Sequence, residues 1–138
     1  MKWTLILSLM LVWISDVYAF HPDIYQPRVP KEILEDTQDK DNPFEEIPGA
    51  SEKGKKIYFG KGLCVTCHSK NGKGVKLPGH SPRDFTDKKW QDIRSDGELM
   101  WVLKNGSPGT SMPIRVGKVI SEEEGWKVIL FIRTFAGV

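Results

Sequence analysis

Cys64 and Cys67 stand three residues apart and are followed at once by His68, in the string Cys64-Val65-Thr66-Cys67-His68, and the chain holds no third cysteine. Two thiols at that spacing can add across the two vinyl groups along one porphyrin edge, which delivers the next residue's imidazole beneath the iron. C-x-x-C-H therefore reads as a covalent haem attachment site. Cys64 and Cys67 become thioethers in this reading, and His68 the proximal ligand. The competing uses of paired cysteines each ask for something missing. A redox dithiol wants a βαβ context and a helix N-terminus, whereas Cys64 follows what reads as a helix end. A zinc site needs four ligands; Cys64, Cys67 and His68 supply three, and His21 and His80 form no second paired motif.

A second iron ligand is sought in the glycine- and proline-rich stretch from Gly106 to Pro113, which presents Met112. A thioether is a neutral, soft donor that favours ferrous iron, so His/Met ligation raises the reduction potential and fills the sixth position. His80 is the rival, since it follows His68 in a loop and would give bis-histidine ligation; an open or water-ligated iron is the third possibility. Met100 falls within a helical pattern and reads as core. Arg83 and Trp90 are candidate donors to a haem propionate, because a buried carboxylate must be paired or hydrogen-bonded; a surface arginine and a packed indole are the plain alternatives.

Three helical segments must position these groups, with few strand signals between them. Ser51 can cap a helix through Glu52, Gly54, Ile57, Tyr58 and Phe59 that ends at Gly60 or Gly62. From Asp96 to Gly106, Leu99, Val102 and Leu103 share one face. Ser121-Glu122-Glu123-Glu124 is a capping box. It opens a helix on which Trp126, Ile129, Leu130 and Arg133 form one stripe and Val128, Phe131, Ile132 and Phe135 another; the apolar run alone would also suit a buried strand, but the cap argues for helix.

The rest of the 138-residue chain frames this unit. Residues 1–19 carry Lys2, an apolar stretch from Trp3 to Ile14 and Val17-Tyr18-Ala19, the pattern of a secretory leader cleaved after Ala19. The alternative, an uncleaved anchor, is disfavoured because the stretch is shorter than the ~20 residues of a spanning helix. No other segment would span a bilayer once the leader is removed. Thiols destined for thioethers fit a periplasmic or otherwise exported location. Residues 20–49 hold five prolines and three basic against eight acidic residues, net −5, and are expected to form an extended acidic arm that lies on a partner, folds back over the rest, or serves as a disordered linker. Residues 50–138 hold sixteen basic and nine acidic residues, net +7, and make the haem domain. Lys61, Lys70, Lys73, Lys76, Lys88 and Lys89 cluster around the attachment region and could steer an acidic partner, though each alone is most simply a solvated charge. No aromatic-basic motif accompanies them, so a nucleic-acid role gains no support.

The parts of residues 50–138 resemble the monohaem class I c-type cytochromes in both motif and order: a first helix with Gly54 and Tyr58, CVTCH, the helix SDGELMWVLKNG, the loop GTSMP and a capped last helix. The resemblance implies an all-α fold of three main helices and loops wrapped around one covalent haem c, with Gly54 and Tyr58 packed across Val128, Phe131 and Ile132. It also implies a proline carbonyl on the second nitrogen of His68, with Pro78 preferred to Pro82. The expected role is single-electron exchange with redox protein partners, as a diffusible carrier or as the haem subunit of a larger oxidoreductase complex docked through residues 20–49. A haem enzyme or gas sensor with an open distal site is the competing expectation.

Overall fold

A computed structural model describes residues 23–76, 78 and 81–138. The leader expected over residues 1–19, with its cleavage site, and His21 and His80 lie outside the described residues. Among the described residues six helices follow one another: α1 (Leu34–Gln38) after a 3-10 turn at Lys31–Ile33, α2 (Ala50–Phe59), α3 (Cys64–His68), α4 (Lys88–Ile93), α5 (Asp96–Asn105) and α6 (Glu122–Arg133). Among the described residues no strand forms, and Val116 and Ile120 make a single isolated bridge. The three helices read from the sequence are α2, α5 and α6; α1, α3 and α4 are short turns of helix between and before them.

The apolar pattern of α6 explains why it lies at the centre. Gly125 to Ile129, Phe131 and Ile132 are all buried, and a helix apolar on nearly every side must be enclosed by its neighbours. Burying Val128 and Ile129 completely is worth ~1.5–3 kcal/mol each. α2 crosses α6 at Gly54, where a Cβ would lie 1.8 Å from the Lys127 carbonyl oxygen, so no other residue fits. Beside that crossing the Tyr58 ring meets Phe131 edge to face, with centroids 5.2 Å apart. α5 packs on α6 and on α1, burying Leu99, Met100 and Leu103. Val102, expected on the buried face, is half exposed, and Met100 takes its place beneath Gly125.

The caps differ from expectation at one end. Ser51 lies inside α2, whose N-cap is Gly49 at φ 77° with no side-chain bond. Ser121 and Glu124 close the expected capping box on α6, and Ser95 with Glu98 closes a second on α5.

Residues 23–49 do not project as a separate arm. They run as a strap across α4, α5 and α6, with Val29, Thr37 and Asn42 buried. The Asn42 amide donates to Asp96 at 2.9 Å and to the Trp126 carbonyl at 3.0 Å. Thr37 crosses α5 so closely that a Cβ on Gly97 would lie 1.9 Å from its carbonyl oxygen. The buried Arg94 donates to the Tyr25 carbonyl and pairs with the equally buried Glu98 at 2.9 Å. The fold-back alternative is the one the chain adopts, because the strap's few apolar and amide groups find their partners on its own domain.

Candidate functional site

α3 is one turn of helix carrying CVTCH, and its backbone is held from both flanks. Leu63 and Ser69, immediately before and after it, are the two non-glycine residues with left-handed φ among the described residues, at 54° and 64°. Such conformations cost roughly 1–3 kcal/mol each and persist where surrounding contacts impose them. Here the Tyr58 hydroxyl donates to the Ser69 carbonyl at 2.7 Å, the Gly74 amide to the His68 carbonyl at 3.0 Å, and the Val75 amide to that of Cys67 at 2.8 Å.

His68 is buried, its ring stacked on Phe85 with centroids 4.2 Å apart and 16° between planes. Its Nδ1 lies 3.1 Å from the Arg83 carbonyl oxygen. A carbonyl only accepts, so Nδ1 carries the proton and Nε2 keeps its lone pair. Burial holds the imidazole below its ordinary pKa, against the Arg83 carbonyl and with help from the Arg115 charge, so the neutral ligand form is favoured. The expected proline is not the partner: Pro78 is exposed and Pro82 precedes the carbonyl that arrives. A backbone carbonyl has no residue-type requirement, and the loop path decides which one faces the ring.

The two thiols differ. Cys64 is buried, which pushes its thiol up to about 11, and Cys67 is exposed. Met112 is half buried against the same apolar cluster that contains Tyr58, Cys64 and Phe85. Its loop is fixed by the Ser107 amide donating to the Met112 carbonyl at 3.1 Å and by the Arg115 and Val116 amides both donating to Leu103. Arg83 is occupied: its guanidinium meets Asp87 at 3.3 Å and lies 5.6 Å from the Trp90 ring centre. The structure thus gathers His68, Arg83 and Trp90 on one side, with Arg83 acting there through its carbonyl. Phe85 and Arg115 were missed by the sequence reading. Arg115 is half buried, makes no ion pair among the described residues, and exerts its charge on both Cys64 and His68; its place three residues beyond Met112 was the available signal. Among the described residues no three His, Cys, Asp or Glu side chains converge as a metal site.

Two thiols on one helical turn, a neutral imidazole with a free Nε2 and a half-buried thioether form a donor set that fits a covalently attached haem. The model of the cytochrome c family matches residues 51–136. The chain belongs to the cytochrome c family. Membership implies a covalently bound haem c and an electron-transfer role for this cytochrome domain. No curated protein matches the chain. Among solved structures it is similar to the c-type cytochrome KustC0563, at 28% identity and TM-score 0.52 over 60% of this chain and 96% of that one. Cytochrome cL of the marine methylotroph Methylophaga aminisulfidivorans shares the fold at 17% identity and TM-score 0.54, over 82% of this chain and 73% of that one. The Kuenenia stuttgartiensis reducing HAO-like protein complex Kustc0457/Kustc0458 contains a chain with the same fold, at 23% identity and TM-score 0.52, over 83% of this cytochrome and 49% of the other chain. No helix among the described residues is long and apolar enough to cross a membrane.

Proposed function

We propose that this is an exported monohaem cytochrome c, released by cleavage after Ala19 and passing single electrons between redox proteins of the periplasm. Cys64 and Cys67 would hold the haem covalently, and His68 and Met112 would ligate its iron. The haem supplies a one-electron Fe(III)/Fe(II) couple. The observation that carries this reading is the His68 ring, buried, neutral and committed through Nδ1 to a carbonyl, which leaves one nitrogen for a metal. The chain's own part is to fix that ring against Phe85, to present Met112 from a pinned loop, and to exclude water with the cluster around Tyr58 and Phe131. Lys70, Lys73 and Lys76 are exposed and make no ion pair among the described residues, which leaves their charge available to an acidic partner. No bond in a substrate is made or broken.

The strap's buried groups are used on its own domain, which supports a diffusible carrier. Service as a haem subunit of a larger oxidoreductase would have to use the strap's exposed acidic side.

The test is the absorption spectrum of the ferric and ferrous protein, with carbon monoxide added to the ferrous form, for the native chain and Met112→Ala. A sulfur-to-iron charge-transfer band, with carbon monoxide binding only after Met112 is removed, is the expected result. Carbon monoxide binding to the native protein would overturn it in favour of an open site suited to catalysis or sensing.

A further inference from the structure

The strap reaches the His68 side of the site through one side chain. The Tyr25 hydroxyl donates to Asp87 Oδ2 at 3.2 Å, and the Arg83 guanidinium meets the same oxygen at 3.3 Å. Arg83 Nε also donates to the Asp84 carbonyl at 3.2 Å, closing a short loop whose carbonyl at Arg83 is the one facing His68. Asp87 Oδ1 meanwhile accepts from the Trp90 amide at 3.1 Å and caps α4. Tyr25 is itself held: Arg94 donates to its carbonyl, and the Lys89 ammonium lies 4.1 Å from its ring centre. The strap and the segment from Arg83 to Trp90 therefore meet at one carboxylate, one residue pair away from the ligand's hydrogen bond.

We propose that Tyr25 and Asp87 are positioning residues for His68, the strap holding the Arg83 carbonyl against Nδ1 and so setting the donor strength of the imidazole. The inference rests on the reading of His68 as the proximal ligand. A carbonyl on Nδ1 gives the ring more anionic character and makes it a stronger donor to iron, which favours the ferric state. Loosening that contact weakens the donor and raises the reduction potential. The aspartate cap and the phenol thus join a segment outside the haem-binding helices to the electronics of the ligand.

The experiment uses the full haem-loaded protein and the variants Tyr25→Phe, Asp87→Asn and Asn42→Ala. The last loosens the strap at its other end, where it is tied to Asp96 and Trp126. Midpoint potential, solvent exchange of the His68 Nδ1 proton by NMR, and thermal unfolding are read for each. Expected is a positive shift in potential with faster proton exchange in Tyr25→Phe, and a larger shift in Asp87→Asn, while Asn42→Ala lowers the unfolding temperature and moves neither. Unchanged potential and exchange in both Tyr25→Phe and Asp87→Asn would overturn the proposal. An equal shift in Asn42→Ala would overturn it too, since general loosening would then explain the effect. Failure of the ligand assignment is seen separately, in the native protein's own spectrum lacking a ligated His68 ring.

Discussion

Cys64 and Cys67 are the same residue type in the same motif, yet their surroundings set them apart. Burial holds the Cys64 thiol protonated, while Cys67 faces solvent, and the thiolate is the reactive form. In the haem-free protein at neutral pH, an alkylating reagent should therefore modify Cys67 well before Cys64, which peptide mass spectrometry reads directly. The Arg115 charge opposes the effect of burial at Cys64, so Arg115→Gln should move that thiol further above about 11, followed by thiolate absorbance during a pH titration. CVTCH stood out in the sequence because the thioether chemistry proposed for it dictates residue types at consecutive positions. Arg115, Phe85 and the Arg83 carbonyl were not, because each becomes part of the site only through the tertiary path of a loop. At Arg83 the functional atom belongs to the backbone, about which residue type says little.

Helix ends account for much of what the sequence discloses about the elements. Ser121 with Glu124 and Ser95 with Glu98 follow one pattern, and each hydroxyl satisfies an amide that the helix leaves without a partner. Ser121→Ala should cost about 1 kcal/mol, seen as a drop of about 4–8 °C in Tm for a domain of this size. Glu124 adds a pH dependence. The Lys61 ammonium at 2.6 Å, followed by the Ser121 backbone, holds its carboxyl below the usual range. A carboxyl lowered on folding stabilises the protein above its unfolded pKa and loses that contribution as pH falls through the folded pKa. Glu124→Gln should accordingly flatten the acid side of the Tm profile and leave the neutral side nearly parallel to the native one. α2 offers no such signal, because a glycine in left-handed conformation begins it. The strap was also opaque: its order depends on Gly97, Asp96 and Trp126, far along the chain. Gly97→Ala should displace it from α5 at a cost of ~1–3 kcal/mol, and limited proteolysis within residues 23–49 should then quicken.

Over the whole molecule, the acidic strap and the basic remainder, net −5 and +7, lie on one folded body. Glu32, Glu35, Asp36, Asp39 and Asp41 are exposed on the strap, and Lys70, Lys73 and Lys76 on the loop after CVTCH. The Debye length is about 8 Å at physiological ionic strength, so steering between such surfaces is salt-sensitive. Electron transfer to an acidic partner protein should slow as salt rises, and Lys70→Ala, Lys73→Ala and Lys76→Ala combined should reduce that salt slope in stopped-flow rates. The close crossing at Gly54 also has a meaning in time. It joins α2 to α6 from opposite ends of the domain, so the body cannot close until its final helix has been synthesised. Until then Tyr58 lacks Phe131, and the apolar cluster that also holds Cys64 is incomplete. Attachment of haem at Cys64, as proposed above, would fall in this interval, and slowing the docking of α6 should lengthen it.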